Sequence, residues 1–155
     1  MTSPQDIQHK VREVLNRYLE KEGLRKTPER FMILEEVYQL DHFDSDTLFQ
    51  KMIERKYRVS KATIYNTLEV LETCGLVIRH QFGENQSIYE KAFHYRQHDH
   101  LICMDCRKIF EFCDPRLQAT QDLLEELYPF KIQHHAMTLY GRCQKNCKDK
   151  HRNKD

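Results

Sequence analysis

Apolar positions along the first half of the chain recur at helical spacing. Between Gln5 and Glu22, Ile7, Val11, Val14, Leu15, Tyr18 and Leu19 line one face of an amphipathic helix, and Gly23 stops it. A second helix is predicted after Thr27-Pro28, a cap followed by a first-turn proline, and carries Phe31, Ile33, Leu34 and Val37. A third opens at Ser45 as N-cap and carries Leu48, Met52 and Ile53. A fourth, capped by Ser60, runs to Gly75 with the stripe Ile64, Leu68 and Leu71.

After Gly75 the period shortens. Leu76–Phe82 and Ser87–Lys91 read as strands around the turn signal Gly83-Glu84-Asn85-Gln86. Three helices and then a hairpin is the order of a winged helix-turn-helix. Residues 92–97 read as a hinge. Strands are predicted at His98–Cys103 and Lys108–Cys113, then a helix from Asp114-Pro115 to Leu127, and a last strand at Lys131–Tyr140. The expected class is α+β: a winged helix over 1–91, the hinge 92–97, a small α/β domain over 98–147, and a charged, disordered tail over 148–155.

Composition narrows the function. The 155 residues hold 25 basic and 24 acidic groups, so any DNA binding must come from a local arrangement of cations. No apolar run reaches the roughly 18 residues of a membrane span, and the N-terminus is too polar for a signal peptide. A cytoplasmic protein is expected. There, disulfides are rare, so cysteines paired at short spacing among the six point to metal or redox chemistry, and nine histidines tip the choice to metal.

Cys103-Met-Asp-Cys106 and Cys143-Gln-Lys-Asn-Cys147 each span two corners of a tetrahedron and each follow a predicted strand, as zinc knuckles do. Four thiolates close the shell and leave no water for catalysis, so the expected site is structural zinc. Buried free cysteines or a redox pair are the competing reading. Cys74 and Cys113 lack partners at suitable spacing and are expected to be small core residues.

His98-Asp99-His100 leads into Cys103. On a strand the two imidazoles share one face, which is half of a metal site. Glu90 at the end of the wing, Glu111 on the next strand and His42 before the third helix are candidates to complete it. Such a nitrogen and oxygen set suits Fe(II), Mn(II), Co(II) or Zn(II), and binds less permanently than thiolates. An ion ligated from both halves of the chain would shift a hinge equilibrium, as a sensor requires.

In combination, Gly23-Leu24-Arg25-Lys26-Thr27-Pro28-Glu29-Arg30, Lys61-Ala62-Thr63-Ile64-Tyr65, His98-Asp99-His100-Leu101-Ile102-Cys103-Met104-Asp105-Cys106 and the final cysteine pair resemble the ferric uptake regulator family from about Gly23 to Cys147. The resemblance implies a homodimeric winged-helix repressor that binds an AT-rich palindromic operator in double-stranded DNA when loaded with metal. It matches the four cysteines to a structural zinc site, and His42, Glu90, His98, His100 and Glu111 to the sensing site. Fe(II) is the implied regulatory ion, with Mn(II) or Zn(II) as alternatives. Many members have an additional site; here Asp99 and His135 match it, but Gln97 and Gln118 stand where a histidine and a glutamate are expected, so that site is weak or absent. Asn66 resembles the peroxide-sensing branch, whereas Glu111 is an aspartate in typical peroxide sensors. The iron-sensing reading is preferred, with peroxide or zinc sensing as the alternative.

On this reading the fourth helix reads DNA. Its stripe faces the core and leaves Ala62, Tyr65, Asn66 and Glu69 outward. Thr63 and Tyr65 are placed for thymine methyls or phosphates, and Lys61 for phosphate. Arg25, Lys26 and Arg30 are candidate backbone or minor-groove contacts, and Arg79 or His80 candidate contacts from the wing. Two rivals stand against it. A zinc enzyme needs an open coordination position, and neither HisGluXXHis nor HisXGlu…ProCysXXCys occurs. The other is a zinc-buffering or protein-interaction module without DNA activity.

Overall fold

The computed structural model describes residues 3–83, 85–93 and 96–144. They contribute to two compact units, Met1–Tyr95 and Arg96–Asp155. The class is α+β: among the described residues there are four helices and a three-stranded sheet in the first unit and one helix with a second three-stranded sheet in the other.

Helix α1 spans Pro4–Lys21, and Ser3 and Asp6 close a capping box at its start. Helix α2 spans Pro28–Val37. Thr27 takes the extended N-cap backbone, yet its side chain makes no capping bond; Pro28 already removes one of the donors a cap would satisfy. Helix α3 spans Ser45–Glu54, and its cap is Asp44, one residue before the predicted Ser45. The Asp44 carboxylate accepts from the Thr47 N–H at 2.6 Å, and its charge at the helix N-terminus adds to the hydrogen bond. Helix α4, Lys61–Thr73, is capped by Ser60 as expected, with Thr63 N–H to Ser60 Oγ at 3.0 Å. It ends where Gly75 takes φ +75°, letting Leu76 N–H reach back to Leu71 O at 2.8 Å.

The stripes predicted for these helices meet in one core. Val11, Leu15, Leu19, Ile33, Leu34, Val37, Leu48, Met52, Ile64, Leu68 and Leu71 are all at most 1% exposed. Strands β2 (Val77–Gln81) and β3 (Ser87–Lys91) form the wing. A two-residue strand, β1 (His42–Phe43), was expected as loop; it pairs with β3 on its other edge and sets His42 opposite Glu90. Tyr38 pegs the end of this unit: its hydroxyl donates to Leu76 O and accepts from Phe93 N–H. Ala92 also bonds to Leu76 O at 3.0 Å, so residues 92 and 93, predicted as hinge, are tied into the first unit.

In the second unit β4 (Asp99–Cys103) lies between β5 (Ile109–Phe112), antiparallel to it, and β6 (Thr138–Gly141), parallel to it. Helix α5 (Pro115–Leu127), capped by Asp114, connects the outer strands and buries none of its residues. The last strand is much shorter than the predicted Lys131–Tyr140. Side chains take the backbone groups that a ladder would use: Glu125 accepts from Ile132 N–H, Asp99 from Met137 N–H, and Gln97 donates to His135 O. Cys147 and the predicted disordered tail lie outside the described residues. No helix among the described residues is long and apolar enough to cross a membrane.

Candidate metal centres

The cysteines come together because β4 and β6 run side by side. Cys103 ends β4, opposite Gly141 of β6, and Cys143 follows two residues later. Arg107, at φ +63°, turns the chain after Cys106, and its N–H bonds Cys103 O at 2.9 Å. The sulfurs of Cys103 and Cys143 lie 3.4 Å apart and those of Cys106 and Cys143 4.0 Å. In a tetrahedral site with Zn–S bonds of about 2.3 Å, ligand sulfurs are about 3.8 Å apart, so the three described thiols fit that ion. The N–H groups of Cys106, then of Cys143 and Asp105, with help from the Cys143 thiol, outweigh burial and pull the Cys103 thiol down to about 6. A thiolate is the form that ligates. Of the two cysteines expected in the core, Cys74 packs against it. Cys113 does not: it is exposed just past the end of β5, where the chain leaves the sheet for α5.

The histidine and carboxylate candidates form one set in each unit. In the first, Glu90 sits on the central strand of the wing sheet, 4% exposed. From β1, His42 Nε2 reaches its Oε2 at 2.8 Å; from β2, His80 Nε2 reaches the same oxygen at 3.1 Å. Burial alone would raise this carboxyl. The close approach of the His42 and His80 imidazoles reverses that and holds it far below the ordinary carboxylate range. His80 is therefore turned toward Glu90 and not outward as a wing contact. The period-2 alternation Ile78, His80, Phe82 carries that signal, although which face of the hairpin is inward depends on a pairing that the pattern alone does not specify.

In the second unit His98, one residue before β4, and His100 within it lie together, ring centroids 4.8 Å apart, while Asp99 bonds His135 instead. His98 Nδ1 bonds Arg96 O at 2.7 Å, which orients its Nε2 toward Glu111 at 3.7 Å. Glu111 is the cross-strand neighbour of His100. Asp99, only 2% exposed, bonds His135 Nε2 at 3.0 Å, and His135 Nδ1 meets Gln121 at 2.7 Å. Both ring nitrogens of His135 are thus engaged within the chain, and Gln118 bonds Asp122.

On α4, Tyr65 is 51% exposed and Asn66 beside it is also exposed, while Ile64, Thr67 and Leu68 are buried. Tyr65 Oη accepts from Ser45 Oγ at 3.2 Å. Thr63 bonds the cap residue Ser60, and Lys61 pairs with Asp46 at 2.8 Å and lies over the Phe49 ring. Arg25 is exposed, its carbonyl held by Arg30 at 2.6 Å. Arg79 pairs with Glu72 at 3.4 Å.

A model of the ferric uptake regulator family matches residues 21–140. A Shigella flexneri protein named ferric uptake regulation protein is 35% identical over 130 residues, covering 83% of this chain and 87% of that protein. The solved Vibrio cholerae ferric uptake regulator matches with a TM-score of 0.73 at 32% identity, over 83% of this chain and 98% of that one. The Helicobacter pylori ferric uptake regulator, described as having three functional metal binding sites, matches with a TM-score of 0.80 at 25% identity, over 88% and 91% of the two chains.

Proposed function

This chain belongs to the ferric uptake regulator family, and we propose that it is a metal-dependent DNA-binding repressor that senses Fe(II). It acts in the cytoplasm as a homodimer on an AT-rich palindromic operator. One observation carries the reading: apart from the thiolates, each compact unit presents its own imidazole and carboxylate set, His42 with Glu90 in one and His98, His100 and Glu111 in the other.

Cys103, Cys106, Cys143 and Cys147 hold structural zinc, whose binding free energy is folding free energy for a unit with so small a core. His42, Glu90, His98, His100 and Glu111 hold the regulatory ion. Their nitrogen and oxygen atoms release a divalent ion more readily than four thiolates do. Because the two sets belong to different units, ligation from both restricts the freedom of the DNA-reading unit and favours one arrangement of the half-site readers. Asp99 and His135 form an internal pair with no regulatory load.

Helix α4 supplies the base-reading face, with Thr63, Tyr65 and Asn66 toward the major groove and Lys61 and Arg25 toward phosphates. Self-association is supported by the apolar surface of the second unit, where Leu123, Leu127, Tyr128, Phe130, Leu139 and Tyr140 are each at least 48% exposed. A C2 pairing of that face sets two copies of α4 against a palindrome. Asn66 favours a second reading, peroxide sensing, which predicts loss of DNA binding when the iron-loaded protein meets peroxide.

The test is a fluorescence anisotropy titration of zinc-loaded protein on an AT-rich palindromic duplex, with Fe(II), Mn(II) and excess Zn(II) at buffered free concentrations. Metal-dependent binding is expected, with Fe(II) effective. Binding indifferent to all three ions would leave the rival of a zinc-binding interaction module.

A further inference from the structure

We propose that His80 is a positioning residue of the regulatory metal site, its ring Nε2 packed against the Glu90 carboxylate at 3.1 Å and fixing the orientation from which that carboxylate would ligate. The proposal rests on the assignment of Glu90 to that site.

Sheet order places the two imidazoles on opposite sides of one acid. Strand β3 is central, so Glu90 receives His42 from β1 at 2.8 Å and His80 from β2 at 3.1 Å, both on Oε2. The two contacts have different fates when an ion binds. His42, as a proposed ligand, would turn its ring nitrogen to the ion and give up its contact with Glu90. His80 stands outside the proposed ligand set, so its contact from the neighbouring strand would remain to fix the carboxylate beside the ion.

The His80 ring is itself held for this task. It stacks on Phe82, centroids 5.3 Å apart and planes 4° from parallel, and Phe82 is 5% exposed. The His80 side chain is only 16% exposed, whereas that of Arg79, next in the chain, is 50% exposed. A wing residue that merely faced water or phosphate would be exposed like Arg79. Hydrogen-bonded outer partners of ligating carboxylates fix ligand orientation, and losing one typically weakens metal affinity by about 10–100-fold.

The experiment is competition of Co(II) between a chelating indicator and the zinc-loaded full chain, with zinc content and helical circular dichroism measured in parallel. His80→Leu is expected to weaken Co(II) binding by about 10–100-fold with zinc content unchanged. His80→Gln, whose amide can donate to the same oxygen, is expected to restore most of the affinity. A Leu variant that binds Co(II) like the wild type overturns the proposal. So does a Gln variant as weak as Leu, because a polar contact to the Glu90 carboxylate would then not be what position 80 supplies. If the Leu variant does not fold, His80→Phe, which keeps a flat ring against Phe82, takes its place with the same expectation. Glu90→Ala separates the two levels: full Co(II) binding there removes the site assignment itself, whereas weakened binding there beside a wild-type-like His80→Leu removes only the role of His80.

Discussion

Replacing Cys103 by serine should unfold the second unit while leaving the first intact. Among the described residues of that unit, Ile102 and Cys103 are the only hydrophobic residues classed as buried. Full burial of an isoleucine contributes about 1.5–3 kcal/mol. Ordering the backbone of the five residues of β4 costs about 5–10 kcal/mol at about 1–2 kcal/mol each. Apolar burial within one copy therefore falls well short, and α5, with no buried residue, adds little. A structural zinc site supplies about 10–16 kcal/mol at neutral pH, several times what burial of one isoleucine contributes. Serine removes the thiolate that bonds closest to Cys143, at 3.4 Å, and leaves an incomplete shell. Calorimetry, zinc analysis and sedimentation equilibrium on the full chain are the assays. The variant should bind no zinc, sediment as a monomer and keep one cooperative helical transition from the first unit. A zinc-free Cys103→Ser dimer that melts like the wild type would refute this reasoning.

Other substitutions separate the remaining roles. His98→Ala and Glu90→Ala should keep zinc and fold but lose metal-activated operator binding; unchanged anisotropy curves in both would remove the shared-ion model. Leu127→Glu with Phe130→Glu, at 65% and 70% exposure, should give a folded, zinc-containing monomer by sedimentation, and a persistent dimer would place the interface elsewhere. Tyr38→Phe leaves Phe93 N–H without its acceptor and removes one of the two donors to Leu76 O, Ala92 N–H remaining, and should cost about 1–3 kcal/mol in a urea melt. Burial pushes the Tyr38 phenol up to about 12 from 10.0, so the stability of its neutral form is fully present below pH 10 and is lost as pH rises through about 12. Ultraviolet titration of tyrosinate should show a late-ionising group that Tyr38→Phe removes.

Much of this architecture is legible in the residues because local and tertiary signals agree. The stripe of α4, Val11, Leu15 and Leu19 of α1 and Leu48 and Met52 of α3 are in the core, whereas Ile53, predicted in the α3 stripe, is 47% exposed; Ser60 caps α4 through its own side chain. Cys103 and Cys106, with Cys143, come together as their spacing and the strands before them suggest, while Cys147 lies outside the described residues. What escaped depends on pairing between distant segments. His42–Phe43 is too short to show a period, and only its ladder with β3 makes it a strand. Asp44 and Ser45 are both good caps, and the choice between them rests on a single hydrogen bond. The stretch 131–137 has the composition of a strand, but Glu125, Asp99 and Gln97 occupy its backbone groups. His80 looked like a wing-surface residue because β2 alone does not show which acid lies across the sheet.

The central claim is that occupancy of the imidazole and carboxylate site, and not of the thiolate site, controls DNA binding. The most direct measurement is operator affinity of the zinc-loaded wild type and of Glu90→Ala as buffered free Fe(II) is raised. The account predicts that wild-type binding tightens with Fe(II) while the variant, with the same zinc content, stays at the metal-free level. A variant that tightens in parallel with the wild type would contradict it.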